Sequence, residues 1–185
     1  MANHPEGNAI TATKNVNNEA VYIGLGANLN QPDEQIIRAL EAIAKLADSA
    51  LLNHSSLYSS KPLGPQQQPD YVNAVAVLQT DLQPQELLEQ LQKIELEQGR
   101  QRKAERWGPR SLDLDIILFG NRKIQTASLT IPHYHFHTRE FVLYPLSEIV
   151  PELVLPDGRP LNEVIKTVSR NGLSILQHRS QILVP

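Results

Sequence analysis

The order of predicted elements favours an α+β domain built on a largely antiparallel sheet. Apolar segments with strand periodicity alternate with two amphipathic helical segments in the order strand, helix, strand, strand, helix, strand. This is the split βαβ arrangement. Hydrophobic residues make up 41% of the 185 residues and charged residues 20%, which is ordinary for a globular chain with a real core. We therefore expect helices packed on one face of the sheet and loops gathered at one end.

The first half of the pattern runs from a buried strand to a long strand rich in valine and alanine. Residues 21–25 form an apolar run that predicts the first strand, which Gly24 and Gly26 are expected to end. A helix begins at Pro32, because proline suits the first helical turn. Its apolar stripe comprises Ile36, Ile37, Leu40, Ile43 and Ala47. Further strands are expected at 51–59 and 71–80, joined by a loop at 61–69 that holds three prolines and a glycine.

The second half opens with another helix. Pro84 starts it and Gly99 is placed to end it, with Leu87, Leu91 and Ile94 as its apolar stripe. The later elements are, in chain order, a basic loop at 100–110, a strand at 112–119, a short strand near Ile124, an apolar segment at 139–146 and a helix near 161–168.

Domain organisation and location follow from composition. Residues 1–19 are polar and rich in asparagine, so we expect a disordered tail followed by a single domain at 20–185. No apolar run approaches the ~20 residues of a membrane span, and the start of the chain lacks the apolar core of a secretion signal. We expect a cytoplasmic monomer.

Charge and cysteine content exclude several classes of function. The net charge is −3, with 17 basic and 20 acidic residues, which argues against a general nucleic-acid or membrane-surface binder. The chain has no cysteine, so disulfides, thiolate metal sites and cysteine nucleophiles are excluded.

Two aspartates on the strand at 112–119 are the first candidate site. Because side chains alternate along a strand, Asp113 and Asp115 share one face, about 6.6 Å apart, with Ile117 and Phe119 beyond them. The opposite face carries Leu112, Leu114, Ile116 and Leu118. Two like charges on one face repel, so something must offset them. A divalent cation would do so; a solvent-facing strand end paired with nearby arginines is the alternative, and the spacing leaves both open.

A basic loop directly precedes these aspartates. It contains Arg100, Arg102, Lys103, Arg106 and Arg110 against one acid, Glu105, and it includes Trp107, the only tryptophan. Guanidinium groups suit phosphate oxygens, and an indole face can stack on a base. By itself the loop could be a solvated charge run. Beside two aspartates it indicates phosphoryl transfer, in which charge stabilisation and positioning are most of catalysis.

Three other patterns give weaker signals. Gly24-Leu25-Gly26 imitates a dinucleotide fingerprint, but Leu29 replaces the third glycine. His133, His135 and His137 alternate like zinc ligands, but Pro132 interrupts the strand and no carboxylate cluster completes a site, so we expect a single histidine on phosphate. Glu95 lies on the apolar side of its helix and needs a partner, either a loop arginine or the site itself.

These motifs together resemble a known family. The segment Arg106-Trp107-Gly108-Pro109-Arg110-Ser111-Leu112-Asp113-Leu114-Asp115-Ile116-Ile117 is similar to the signature of the 6-hydroxymethyl-7,8-dihydropterin pyrophosphokinases of folate biosynthesis. The resemblance covers about residues 20–165 in order. Its other segments are 22–29, 62–65, 69–74, 131–133 and 139–143.

The resemblance implies a fold and a reaction. The fold would be a ferredoxin-like core with mobile active-site loops. ATP would be the co-substrate, with two Mg²⁺ ions. The hydroxymethyl oxygen of the dihydropterin would attack the β-phosphorus of ATP, so that AMP leaves and the pterin diphosphate forms.

The resemblance also implies residue roles. Asp113 and Asp115 would hold the Mg²⁺ ions, and Arg100 and Arg110 would contact phosphates and assist transfer. The other nucleotide-side residues would be Gln92, Glu95, Arg102, Arg106, Trp107, Ile116, Thr130, His133, Tyr134 and Arg139. The pterin side would comprise Tyr71 and Phe141 as a ring sandwich, Asn73 on the ring edge, and backbone groups near Ser60 and Leu63.

The chain departs from the usual family pattern at three positions. Ser60 stands where threonine is common, Lys61 stands where many relatives have proline, and His135 has no clear counterpart. A rival interpretation is a non-catalytic binder of single-stranded RNA that stacks bases on Trp107, Tyr71 and Phe141. The net negative charge and the paired aspartates count against it.

Overall fold

The computed structural model describes residues 19–65, 67–100 and 109–184. The strands are β1 (Ala20–Ala27), β2 (Ser49–His54), β3 (Leu57–Ser60), β4 (Tyr71–Thr80), β5 (Asp113–Phe119), β6 (Ile124–Gln125), β7 (Thr130–Ile131) and β8 (Ser174–Gln177). The α-helices are α1 (Pro32–Ala44), α2 (Pro84–Glu97), α3 (Glu140–Ile149) and α4 (Leu161–Ile165). Short 3₁₀ turns cover Phe136–Thr138 and Arg179–Gln181. The expected tail at 1–19 lies outside the described residues, except that Glu19 pairs with Arg122.

The main sheet has the strand order β5-β1-β4-β3-β8, and every pairing in it is antiparallel. β2 pairs with the C-terminal half of β4, beyond the part that β3 occupies. β6 and β7 form a separate two-stranded sheet. The predicted α+β class with a largely antiparallel sheet is confirmed.

Helices cover both faces of the sheet, so the expectation that they pack on one face was wrong. α1 and α2 pack on one face, where Ile36, Leu40 and Leu91 are fully buried. α3 and α4 pack on the other face, against Val75 and Val77 of β4. The physical reason lies in β4, whose residues are apolar and buried on both faces, so the second face also requires a cover.

Two serines explain why the predicted strand at 51–59 is split into β2 and β3. Ser55 Oγ accepts a hydrogen bond from the Val75 amide at 2.9 Å, so a side chain replaces a backbone ladder bond. The Ser56 amide donates to the Glu148 carboxylate at 2.9 Å. Because these side chains take over the backbone groups, regular pairing stops between the strands.

The third difference is a β-bulge in β5. Tyr22 pairs with Leu118 and Ile23 pairs with Ile116, so Ile117 is the extra residue. The alternation of β5 side chains between the two faces of the sheet is therefore reversed after this residue. Phe119 packs with α1 and α2, whereas Leu118 packs with α3, the reverse of the strict alternation expected from the sequence. Asp113 and Asp115 precede the bulge and share one face, as predicted.

Candidate active site

The candidate active site lies on the sheet face that α3 partly covers. One row of paired residues crosses the sheet there: Asp113 on β5, Gly26 on β1, Asn73 on β4 and Tyr58 on β3. Neighbouring strands are ~4.8 Å apart, so Asp113 and Asn73 face each other across Gly26 at about 10 Å. The Asp113 carboxylate and the Asn73 amide thus lie on either side of Gly26, which has no side chain between them.

A cavity of about 350 Å³ opens over this row. It falls in the size range of small-molecule sites. The predicted site residues that line it are Ser60, Leu63, Tyr71, Asn73, Arg100, Arg110, Asp113, Asp115, His133, Tyr134, Arg139 and Phe141. The structure therefore brings most of the residues predicted for the nucleotide side and the pterin side to one cavity.

Two glycines inside β1 form the floor of this cavity. The sequence interpretation ended the first strand at them, but Gly24 pairs with Asp115 and Gly26 pairs with Asp113 within a continuous strand. A Cβ on Gly24 would lie 3.0 Å from Ile117 Cδ1, closer than side chains normally pack. A Cβ on Gly26 would meet only Asn73 Oδ1, at 3.6 Å. Glycine thus leaves room at Gly24 for the bulge residue and at Gly26 for a ligand.

Asp113 is held by arginines. Arg100 Nη1 lies 2.8 Å from Asp113 Oδ1, and Arg110 Nη1 donates to Asp113 Oδ2. Arg100 also pairs with Glu95 on α2. Both arginines near Asp113 therefore pair with its carboxylate.

Asp115 is in a different environment. Within the described part of the chain it forms no ion pair with lysine or arginine, and His133 Nε2 lies 3.9 Å from Asp115 Oδ2. Burial, with the negative charges of Asp113 and Glu95, raises the pKa of Asp115 to about 7. About 44% of its side chain remains accessible, on the cavity that it lines. The positive charges of Arg139 and Arg100 oppose the rise in pKa, and the carboxylate is open to a ligand.

The bulge in β5 places His133 beside Asp115. The Ile117 carbonyl accepts a hydrogen bond from the His133 amide at 2.9 Å. Burial and the positive charge of Arg139 lower the pKa of His133 to about 4, so its imidazole is neutral at pH 7. His133 Nδ1 is buried without a hydrogen-bond partner among the described residues. A neutral histidine with its Nε2 near Asp115 suits contact with a phosphate oxygen or a water.

Glu95 lies just outside the cavity lining. It is 3% exposed, and it accepts hydrogen bonds from the Leu114 amide at 2.8 Å and from Arg100. Burial raises its pKa, while these two donors oppose the rise. Glu95 thereby ties α2 to β5 and fixes Arg100 over Asp113. Its partner is the loop arginine, one of the two partners considered from the sequence.

Asn28 connects the two loops that border the cavity, although the sequence offered no sign of it beyond an asparagine after a strand. It is 2% exposed. Its Nδ2 donates to Gln68 Oε1 and to the Pro69 carbonyl, both at 3.1 Å, and its Oδ1 accepts from the Arg110 amide at 2.8 Å. One buried side chain therefore holds the loop after β3 against the segment that carries Arg110.

Some predicted residues are elsewhere. Gln92 is half-buried on α2 and Thr130 is exposed on β7, and neither lines the cavity. The Ile116 side chain is buried among α1 and α2 on the opposite sheet face, so only its backbone could reach a nucleotide. Arg102, Arg106 and Trp107 lie outside the described residues. Sequence reasoning missed the cavity-lining Gln68 and the role of Lys61, which bridges to Asp70 at 2.8 Å.

The chain is similar in sequence to the proteins of one family. The family model described as 7,8-dihydro-6-hydroxymethylpterin-pyrophosphokinase (HPPK) matches residues 22–151. A 2-amino-4-hydroxy-6-hydroxymethyldihydropteridine pyrophosphokinase of Haemophilus influenzae is 58% identical over 145 residues, covering 78% of this chain and 90% of that protein. The protein of the same name from Pseudomonas aeruginosa is 51% identical over 158 residues, covering 85% and 97%.

Solved structures support the fold. An HPPK-DHPS structure in complex with substrates aligns with 81% of this chain at a TM-score of 0.63 and 13% identity. A Plasmodium falciparum HPPK-DHPS triple mutant with pteroate aligns with 80% of it, also at 0.63 and 13% identity. The matched part spans 43% of each of those longer chains. At this identity the likeness concerns the fold alone.

Proposed function

The chain belongs to the 7,8-dihydro-6-hydroxymethylpterin-pyrophosphokinase family, and from that premise we propose how its residues perform the reaction. The enzyme transfers the pyrophosphoryl group of ATP to the hydroxymethyl oxygen of 6-hydroxymethyl-7,8-dihydropterin in folate biosynthesis. AMP and the pterin diphosphate are the products. Family membership leaves the RNA-binding alternative without support.

Magnesium at Asp113 and Asp115 is the first part of the proposal. The described residues contain no group of three or more His, Cys, Asp or Glu side chains that could hold a metal by themselves. Mg²⁺ does not need one, because it commonly binds one or two carboxylates and completes its shell with water and substrate phosphates. Burial, together with the negative charges of Asp113 and Glu95, raises the pKa of Asp115, so a positive charge at this position would be favourable. Two Mg²⁺ ions held there would neutralise charge on the carboxylates and the triphosphate.

The arginines form the second part. Arg100 and Arg110 both form ion pairs with Asp113. Asp113 would hold the metal, and Arg100 and Arg110 would then contact phosphate oxygens. Their fork geometry suits the charge spread over a transferring phosphoryl group. We assign Arg139, His133 and Tyr134 to the same nucleotide side, because they line the cavity next to Asp115.

The acceptor side lies across Gly26. Tyr71, Asn73 and Phe141 line that end of the cavity, where a flat ring would contact aromatic faces and an amide edge. A ring held there would extend its hydroxymethyl group over Gly26 toward Asp113 and Asp115. The enzyme then positions the attacking oxygen and the β-phosphorus, and no side chain needs to act as a covalent nucleophile.

We propose that residues 20–185 form one domain and that the protein works as a cytoplasmic monomer. Among the described residues, no helix combines the length and hydropathy needed to cross a bilayer.

One observation carries the proposal: the two aspartates and the residues Tyr71 and Asn73 face the same cavity across a glycine floor. The test is to incubate the protein with ATP, Mg²⁺ and 6-hydroxymethyl-7,8-dihydropterin and to quantify nucleotides and pterins. We expect AMP and the pterin diphosphate in equal amounts. ADP as the nucleotide product, or no turnover by folded protein, would contradict the proposal.

A further inference from the structure

We infer that Glu148 is a positioning residue for the pterin side, because its carboxylate joins the two elements that border that end of the cavity. The inference rests on the proposed function and deepens it. Glu148 lies in the last turn of α3, and the cavity-lining Phe141 lies in the first turn of the same helix. The hydrogen-bond partners of Glu148 belong to β3 and the residue before it, and β3 leads directly into the cavity-lining Lys61 and Leu63. One carboxylate thus connects the helix that carries Phe141 to the strand from which the loop over the cavity starts.

Three hydrogen bonds hold the Glu148 carboxylate. The Ser56 amide donates to Glu148 Oε2 at 2.9 Å, and the Ser56 hydroxyl donates to Glu148 Oε1 at 2.7 Å. The Tyr58 hydroxyl donates to Glu148 Oε2 at 2.9 Å. Burial and the hydrogen bond with Glu148 raise the pKa of Tyr58, so its hydroxyl stays protonated and donates at neutral pH. Because hydrogen bonds to a charged acceptor are roughly twice as strong as neutral ones, α3 is firmly attached to β3 at this point.

β3 depends on this carboxylate because its own pairing with β4 is short. The strand has four residues, and three of them pair with β4. Ser56 precedes the strand and is fully buried, and Tyr58 is 4% exposed. Loss of the carboxylate would leave their buried N–H and O–H groups without an acceptor, which is costly. Tyr58 pairs with Asn73 in the row of residues under the cavity, so a shift of β3 that relieved this cost would reach the pterin side.

α3 depends on the same carboxylate because Pro145 interrupts its hydrogen bonding. Proline has no amide hydrogen, so the Phe141 carbonyl lacks the donor that an α-helix supplies four residues later. Leu143 and Leu146 bury the middle of the helix, but apolar contacts are non-directional. The three hydrogen bonds of Glu148 fix how the helix is rotated and shifted relative to β3. Phe141 lies ~10 Å from Glu148 along the helix, so such a shift would displace its ring at the cavity.

Tyr58→Phe is the primary test, because it removes one hydrogen bond to Glu148 and keeps the buried ring. Tyr144→Phe is the matched control: Tyr144 lies on α3 itself, and its hydroxyl donates to the Val168 carbonyl at 3.1 Å, a bond that does not involve β3. Each substitution should lower Tm through the loss of one hydrogen bond. We expect Tyr58→Phe to raise KM for the dihydropterin about three- to fivefold, and Tyr144→Phe to leave it within about 1.5-fold. The kcat value and KM for ATP should stay within about twofold of the wild type in both variants.

Glu148→Gln is the second variant. The amide keeps the size of the side chain but accepts at only one of its two ends. We expect KM for the dihydropterin to rise about tenfold, again without a matching change in KM for ATP. Adding Tyr58→Phe to Glu148→Gln should raise KM further by less than Tyr58→Phe does alone, because both changes weaken the same link.

An unchanged pterin KM in Tyr58→Phe would overturn the inference, whether or not the Glu148→Gln variant folds. Equal rises in KM for the pterin and for ATP would also overturn it, and so would an equal rise in pterin KM in the Tyr144→Phe control. Both results indicate a general structural defect. Failure of the wild-type enzyme to release AMP would refute the proposed function instead, so the two failures are distinguishable.

Discussion

Replacing Asp115 with asparagine should stabilise the metal-free protein at alkaline pH while abolishing activity. The amide would keep the shape of the side chain but remove a negative charge that burial and the charges of Asp113 and Glu95 disfavour. The pKa of about 7 in the folded state exceeds the ordinary aspartate pKa of 3.8. The folded state therefore binds this proton more tightly than the unfolded state, and stability falls as pH rises from about 4 to about 7. Above pH 7 the full destabilisation is present.

The size of the effect can be bounded. A shift from 3.8 to about 7 corresponds to roughly 4 kcal/mol at 1.36 kcal/mol per pKa unit. Because 44% of the side chain is accessible, solvent screening reduces this figure, and we expect about 1–2 kcal/mol. For a chain of this size that is a rise in Tm of about 3–6 °C.

The assay is thermal unfolding at pH 5 and pH 8 in the presence of a chelator, followed by addition of Mg²⁺ and ATP. At pH 8 Asp115→Asn should melt above the wild type, and at pH 5 the difference should shrink. Mg²⁺ with ATP should stabilise the wild type more than the variant, because only the wild type keeps both carboxylates.

Asp157→Asn is the matched control. Asp157 is exposed, and its pKa is lowered by the hydrogen bond from Arg159, so its removal should lower Tm slightly or leave it unchanged. An Asp115→Asn variant that melts at or below the wild type at pH 8 without metal would refute the electrostatic reasoning.

Three further substitutions test the cavity. Asn28→Asp keeps an acceptor for the Arg110 amide but loses the donor to the Pro69 carbonyl. KM for the pterin should therefore rise about fivefold, and the free energy of unfolding measured in urea should fall by about 1 kcal/mol. An unchanged KM would mean that the two loops act independently. Gly26→Ala should leave Tm within about 2 °C of the wild-type value, because the added Cβ makes only an ordinary contact. It should nevertheless weaken pterin binding at least about tenfold. A normal pterin affinity would show that the bound ring does not lie over Gly26. Tyr71→Phe should retain the wild-type affinity for the pterin, whereas Tyr71→Leu should lower that affinity about fivefold, as measured by fluorescence titration. Equal affinities of the two variants would show that Tyr71 does not stack on the ring.

Periodicity and turn chemistry were enough to predict β1, β4 and β5 and the starts of α1 and α2, but not β8 at the edge of the sheet. Pro84 begins α2, and a capping box between Gln83 and Glu86 supports that start, while Gly99, with φ of +83°, follows its end. These are local signals, which a single segment carries in itself. The position of Asp113 and Asp115 on the same face of β5 was likewise predictable from the alternation of side chains along a strand.

Long-range contacts account for what the sequence could not predict. The bulge at Ile117 arises where β5 pairs with β1, and the residue types in β5 do not indicate that a bulge forms there. The hydrogen bond between Asn28 and Arg110 joins residues 82 positions apart. The second helical layer follows from apolar residues on both faces of β4, a pattern that a helix or a buried strand could equally show.

The metal-binding role of Asp113 and Asp115 can be tested most directly by diffraction. Crystals would be grown with Mn²⁺ in place of Mg²⁺ and with a nonhydrolysable ATP analogue, and data would be collected at the manganese absorption edge. We expect anomalous peaks within coordination distance of both carboxylates, with the analogue's phosphate oxygens completing the shell and Arg100 and Arg110 on the phosphates. Manganese peaks or a triphosphate located away from these two carboxylates would contradict the account.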